Sequence, residues 1–153
     1  MEAAFNNTLP VAIGSDHAGF EYKEQVKAAL EANGWKVEDK GAFSCDSVDY
    51  PDFAHPVAQD VAGGKAAFGI LICGSGNGVC ITANKYKDIR AALCWNEELA
   101  ALARQHNNAN ILCMPARFTT VEQCKAMTSV FSETSFEGGR HEKRVSKISQ
   151  TGN

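Results

Sequence analysis

Long apolar runs are missing from this sequence. The best, Phe68 to Cys73, has six residues and contains a glycine, far short of the roughly 20 that a membrane helix requires. It reads as a buried strand, and no membrane partner is expected. An excess of basic charge is missing too. With 15 basic against 18 acidic residues the formal net charge is -3, so there is no global basic field and no nucleic-acid partner is expected. The opening stretch Met1-Glu2-Ala3-Ala4-Phe5-Asn6-Asn7 carries an acid and two amides where a secretory signal has a basic region followed by a long apolar one. The expected compartment is therefore the cytosol. Cys45, Cys73, Cys80, Cys94, Cys113 and Cys124 contain no C-x-x-C pair; scattered through a chain without signs of secretion, they read as free thiols. His17, His55, His106 and His141 fall in no spacing typical of zinc ligation, so no metal is expected. Internal repeats and low-complexity tracts are also lacking.

What is present fits one domain over residues 1–153, long enough to surround a sheet with helices. Short apolar runs alternate with longer stretches of helical period, the signature of βαβ units and a mostly parallel sheet. The spacing predicts strands over Leu9–Gly14, Trp35–Asp39, Phe68–Cys73, Ile89–Cys94 and Ala109–Met114. Helices are predicted from about Phe20 to Asn33-Gly34, from Asp52 to Ala62, from Gly78 to Asn84 and from an Asn96 cap to Gln105. A fifth helix starts from a Thr119 or Thr120 cap, with Val121, Cys124, Met127, Val130 and Phe131 facing inward. The last covers about 140–149, ahead of a frayed tail at 150–153. The expected architecture is a three-layer α/β/α sandwich, Rossmann-like, around a five-stranded parallel sheet. Ligands of such sheets bind beyond the C-terminal strand ends, where the strand order reverses. With the order 2-1-3-4-5 that point lies between the first and third strands. The turns that follow these two, Ser15-Asp16-His17-Ala18-Gly19 and Gly74-Ser75-Gly76-Asn77-Gly78, are the most polar and glycine-rich in the chain.

The glycines at 74, 76 and 78 let N–H groups point outward at a helix N-terminus, which suits a phosphate or an oxyanion. The loop lacks the Lys-Ser/Thr of a P-loop, and its third glycine comes one residue too early for a dinucleotide fingerprint. A plain strand-to-helix turn is the alternative. Cys73 sits at the lip of the loop, where N–H groups and the helix dipole are expected to favour thiolate relative to a free cysteine pKa of about 8.5. It is either a general base or a small buried apolar side chain, the reading given to the other five cysteines. Asp16 and His17 bind hydroxyls or an anion, or form an Asx-turn beside a solvated histidine. His106 is also readable as a cation stabilising a helix C-terminus. Arg140 and Arg144 share a helix face, either solvated surface or a clamp for phosphate.

Together these segments resemble the type B ribose-5-phosphate isomerases, a family that includes galactose- and allose-6-phosphate isomerases. The landmarks are Ser15-Asp16-His17-Ala18-Gly19, Asp49-Tyr50-Pro51, Ile72 to Gly78, Ala83-Asn84-Lys85, Ile89-Arg90-Ala91, Arg104-Gln105-His106-Asn107 and Glu137-Gly138-Gly139-Arg140-His141, an ordered set spanning nearly the whole chain. The resemblance implies interconversion of ribose 5-phosphate and ribulose 5-phosphate through a 1,2-ene-diolate, a step of the pentose phosphate pathway, with neither metal nor cofactor. It implies that His106 opens the furanose ring and that Cys73 moves the proton from C2 to C1. It further implies that Gly74, Ser75, Gly76, Asn77 and Gly78 form the anion hole, Ser75 helping to move protons between sugar oxygens. Asp16, His17 and Asn107 match sugar-binding positions, Tyr50 a tyrosine near the ring, and Arg117, Arg140 and Arg144 phosphate contacts. With Cys73 and Val79, the chain falls in the cysteine branch rather than the branch that carries a glutamate at the position of Val79.

A helix running back from the fourth strand carries His106 away from its own Cys73. His106 is therefore expected to serve a neighbouring subunit, in a homodimer or higher homo-oligomer with shared sites. A hexose-6-phosphate isomerase would share every landmark, while a non-catalytic phosphosugar- or nucleotide-binding protein would need the loop but not Cys73 and His106.

Overall fold

The structure is a computed structural model that describes residues 3–150. Residues 151–153 of the expected tail lie outside the described residues. The chain alternates strands and helices: β1 (Val11–Ser15), α1 (Phe20–Ala32), β2 (Val37–Asp39), α2 (Pro51–Ala62), β3 (Gly69–Cys73) and α3 (Asn77–Ala83). There follow β4 (Ala91–Leu93), α4 (Glu97–Asn107), β5 (Ile111–Pro115), α5 (Val121–Glu133) and α6 (Arg140–Ile148). All strand pairs are parallel, in the order β2-β1-β3-β5-β4.

That order corrects the expected 2-1-3-4-5, because β5 and not β4 lies beside β3. The reason is burial. Strands inside a parallel sheet are covered on both faces and must be apolar throughout. Every residue of β5, Ile-Leu-Cys-Met-Pro, is buried, whereas β4 has three residues, all half-buried, which suit an edge. The reversal between β1 and β3 is unaffected.

Two cores flank the sheet. On one face Val26 and Leu30 of α1, Ala100 and Ala103 of α4, and Cys124, Met127 and Phe131 of α5 pack against Ile13, Ile70, Ile72, Leu112 and Met114. Thr128 completes the inward face of α5 and satisfies its hydroxyl on the Cys124 carbonyl at 2.8 Å. On the other face Ala54, Val57 and Ala58 of α2 with Val79 and Ala83 of α3 cover Ala12, Leu71, Ile111 and Cys113. The result is the expected α/β/α sandwich. Asn96 caps α4 by accepting from Leu99 N–H at 2.9 Å, and Thr120 rather than Thr119 caps α5, in a reciprocal box with Gln123. Not every cysteine is a small core residue, since Cys45 is exposed in the polar Ser44–Asp46 loop.

Candidate active site

The C-terminal ends of β1 and β3 open onto a cleft of about 550 Å³ lined by Asp16, Tyr50, Cys73, Gly74, Ser75, Gly78, Arg117 and Phe118. Asp16 N–H donates to the Ile72 carbonyl at 3.3 Å, which ties the first turn to the end of β3. The Asp16 carboxylate accepts from Gly19 N–H at 3.0 Å, so an Asx-type turn and a place in the cleft coexist in one residue. Beside it, His17 Nδ1 accepts from Val48 N–H at 3.2 Å, which leaves the proton of the neutral ring on Nε2.

Cys73 ends β3, and its sulfur accepts from Gly76 N–H at 3.1 Å. Gly76 holds φ at 76°, the left-handed region that closes the turn into α3. Gly78 packs against Tyr50, and a Cβ there would meet the Tyr50 ring at 2.4 Å. Ser75 Oγ accepts from Asn77 N–H at 3.3 Å. Arg117 N–H donates to the Gly74 carbonyl at 3.0 Å, which brings the Arg117 guanidinium over the loop.

The expectation for the thiol needs correction. Burial pushes Cys73 up from its ordinary value; the N–H groups of Val79, Gly76 and Ser75 pull it down, the nearby Asp16 charge pushes it up, and the upward effects win. Within one chain the thiol form is therefore the favoured one.

His106, Asn107, Arg140 and Arg144 lie elsewhere. From its cap after β4, α4 runs back across the sheet, covering about 16 Å over its 11 residues. Asn110, just beyond it, accepts from Gly69 N–H at the start of β3. Cys73 stands at the other end of that strand, about 13 Å along it. At the end of α4 the His106 ring stacks on His141 of α6, with centroids 4.3 Å apart and planes 13° apart. Arg140 and Arg144 are exposed on α6. Asn107 lines a second cleft of about 730 Å³ with Lys85, Tyr86, Arg90 and Ile148. One chain thus holds two separate half-sets of the expected residues.

Sequence reasoning gave no role to Phe118, an exposed aromatic on the rim of the Cys73 cleft, or to Glu137 and His141, which meet His106. The signal for Phe118 was a bulky apolar residue directly after Arg117, in a stretch otherwise of turn type.

The sequence profile of a family described as ribose/galactose isomerase matches residues 11–148. Ribose-5-phosphate isomerase B of Escherichia coli K12 is 44% identical over 138 residues, which cover 90% of this chain and 93% of that protein. A crystal structure of a ribose 5-phosphate isomerase from Thermotoga maritima superposes with a TM-score of 0.91 at 50% identity, over 94% of this chain and 99% of that one. A crystal structure of ribose-5-phosphate isomerase B from Mycoplasma genitalium with bound ribulose-5-phosphate gives a TM-score of 0.89 at 43% identity, over 94% and 95% of the two chains.

Proposed function

The chain belongs to the ribose/galactose isomerase family, and on that footing we infer that it is an aldose–ketose isomerase interconverting D-ribose 5-phosphate and D-ribulose 5-phosphate. The observation that carries the chemistry is the Cys73 sulfur at the lip of a glycine loop, in a cleft shared with Asp16, Tyr50 and Arg117.

In this reading the whole chain acts as one domain. Asp16, His17, Asn107 and Tyr50 hold the sugar, and Arg117, Arg140 and Arg144 hold the phosphate. His106 moves the proton that opens the ring. The Cys73 thiolate then takes the C2 proton, leaving an ene-diolate whose negative charge meets the N–H groups of Gly74 to Gly78, and Cys73 returns the proton at C1. Ser75 shuttles protons between the two oxygens. Such an anion hole lowers the barrier to the extent that fixed dipoles meet the charge as it develops.

His106, Asn107, Arg140 and Arg144 come from a second copy of the chain. Their separation from Cys73 supports this, as does the state of the thiol. A base held protonated by burial needs positive charge beside it, and the neighbouring copy's arginines supply that charge. The cytosol, where thiols stay reduced, suits such a residue.

The test is conversion of ribose 5-phosphate by wild type and by Cys73→Ala, with allose and galactose 6-phosphates as competing substrates. Wild type turns over ribose 5-phosphate in preference to the hexose phosphates. Cys73→Ala keeps substrate binding and loses nearly all turnover. Full activity in Cys73→Ala removes the assigned base, and a preference for a hexose phosphate moves the chain to the other branch of its family.

A further inference from the structure

We propose that His106, Glu137 and His141 bind a divalent transition-metal ion of the zinc type, and that an ion held there stops isomerisation by occupying the ring nitrogen of His106. Binding is independent of the assigned reaction. Inhibition rests on His106 acting as the acid/base residue.

The three donors come together only in the fold. Glu137 Oε1 lies 3.7 Å from His106 Nε2 and 3.3 Å from His141 Nε2, and the ligand atoms of all three residues lie within 4.8 Å of one another. Donors at ordinary zinc distances of about 2.0–2.1 Å in a tetrahedron stand about 3.3 Å apart. Both separations to the carboxylate are close to that figure before any ion arrives. The imidazole pair closes the rest by rotation of His106, whose side chain is 39% exposed against 9% for His141.

The frame is already built. Glu137 N–H donates to the Gln105 carbonyl at 3.0 Å, fastening the loop to the end of α4, and His141 N–H donates to the Gly138 carbonyl at 3.0 Å. The two imidazoles lie side by side and nearly parallel, so the pre-ordered donors are Glu137 and His141, and His106 swings out of the stack to aim its lone pair at the ion. Donors ordered in advance lose little freedom on binding. Two imidazoles and one carboxylate select zinc, cobalt, nickel or copper over calcium and magnesium, which prefer all-oxygen shells. Glu137 is half exposed, so water reaches the fourth position, as in open zinc sites.

The experiment is calorimetric titration of the full chain with ZnCl2, with Co2+ absorption in parallel, on wild type, Glu137→Gln and His141→Asn. Wild type is expected to bind one ion per chain at this site. Both variants, with unchanged circular dichroism, bind it at least about tenfold more weakly. Wild-type turnover falls as the site fills and returns on adding a chelator. Equal affinity in wild type and Glu137→Gln overturns the site even if His141→Asn fails to fold, as does a Co2+ spectrum dominated by thiolate charge transfer. An ion that binds with the expected variant dependence while turnover persists overturns the inhibition and tells against His106 as the acid/base residue, leaving the metal site itself standing.

Discussion

Gly76 joins the conformation of the loop to the environment of the thiol. Its φ of 76° is strained for any residue with a Cβ, at a cost of about 1–2 kcal/mol. A Cβ there would also stand 2.4 Å from Leu93 Cδ1 and 3.2 Å from the Met114 carbonyl carbon. Leucine can turn away, but the backbone of β5 cannot. Because Gly76 N–H is the donor to Cys73 Sγ, strain at this residue moves the sulfur's partner as well. Gly76→Ala is expected to lower Tm by about 5 °C or more and to reduce kcat. Gly78→Ala, with ordinary φ, meets only the movable ring of Tyr50 and is expected to raise KM with a smaller loss of Tm. Thermal denaturation and steady-state kinetics on the pair check this, and equal Tm losses would refute it.

Helix α4 carries His106 and Asn107 at its end, and Arg104 pins that end. The Arg104 side chain is buried; Nε donates to the Thr134 carbonyl at 2.9 Å, and Nη1 donates to Asn108 Oδ1 at 3.0 Å and to the Ala109 carbonyl at 2.6 Å. The guanidinium lies 4.1 Å from the Phe5 ring centroid. Burial, with a smaller contribution from the Arg90 charge, lowers its pKa to about 10, so it stays charged at neutral pH. Arg104→Met would leave one buried carbonyl, of Ala109, and one half-buried, of Thr134, short of a donor, a loss of about 2–3 kcal/mol. The expected result is a Tm lower by about 4–12 °C, with turnover reduced because the end of α4 frays. Arg104→Lys keeps the charge but not the planar fork and should recover less than half of the loss. An unchanged Tm in Arg104→Met would show that the three bonds contribute nothing net.

At the scale of the molecule, the proposed sharing of each site between two copies makes a demand on assembly that can be tested. If each site joins Cys73 of one copy to His106 of another, Cys73→Ala and His106→Asn are each inactive as homodimers. Subunit exchange between them creates mixed dimers in which one site carries both defects and the other carries none. A randomised equal mixture with two-fold symmetry then recovers about a quarter of wild-type activity. No recovery after verified exchange would place both residues in one chain's site. Mass spectrometry of the exchanged dimers, beside the kinetic assay, supplies that verification.

The features legible from sequence were those that near neighbours in the chain decide. Alternating runs marked all five strands, Asn96 and the Thr119-Thr120 pair marked helix starts, and the glycines after Cys73 marked a turn into a helix. Four things waited for the tertiary structure. The place of β5 inside β4 depends on which strand is covered on both faces. The complete burial of Lys23, on the same stripe of α1 as Val26 and Leu30, depends on Asp39, paired with it at 2.6 Å, and on the Phe43 ring beside its ammonium. The balance at Cys73 turned on desolvation, which no count of nearby N–H groups contains. His106 and His141, far apart in sequence, gave no zinc spacing and yet stack around one carboxylate. Hydrogen-bonded turns and caps are satisfied within a few residues, whereas burial, strand order and the meeting of distant side chains depend on which surfaces the packed layers bring together.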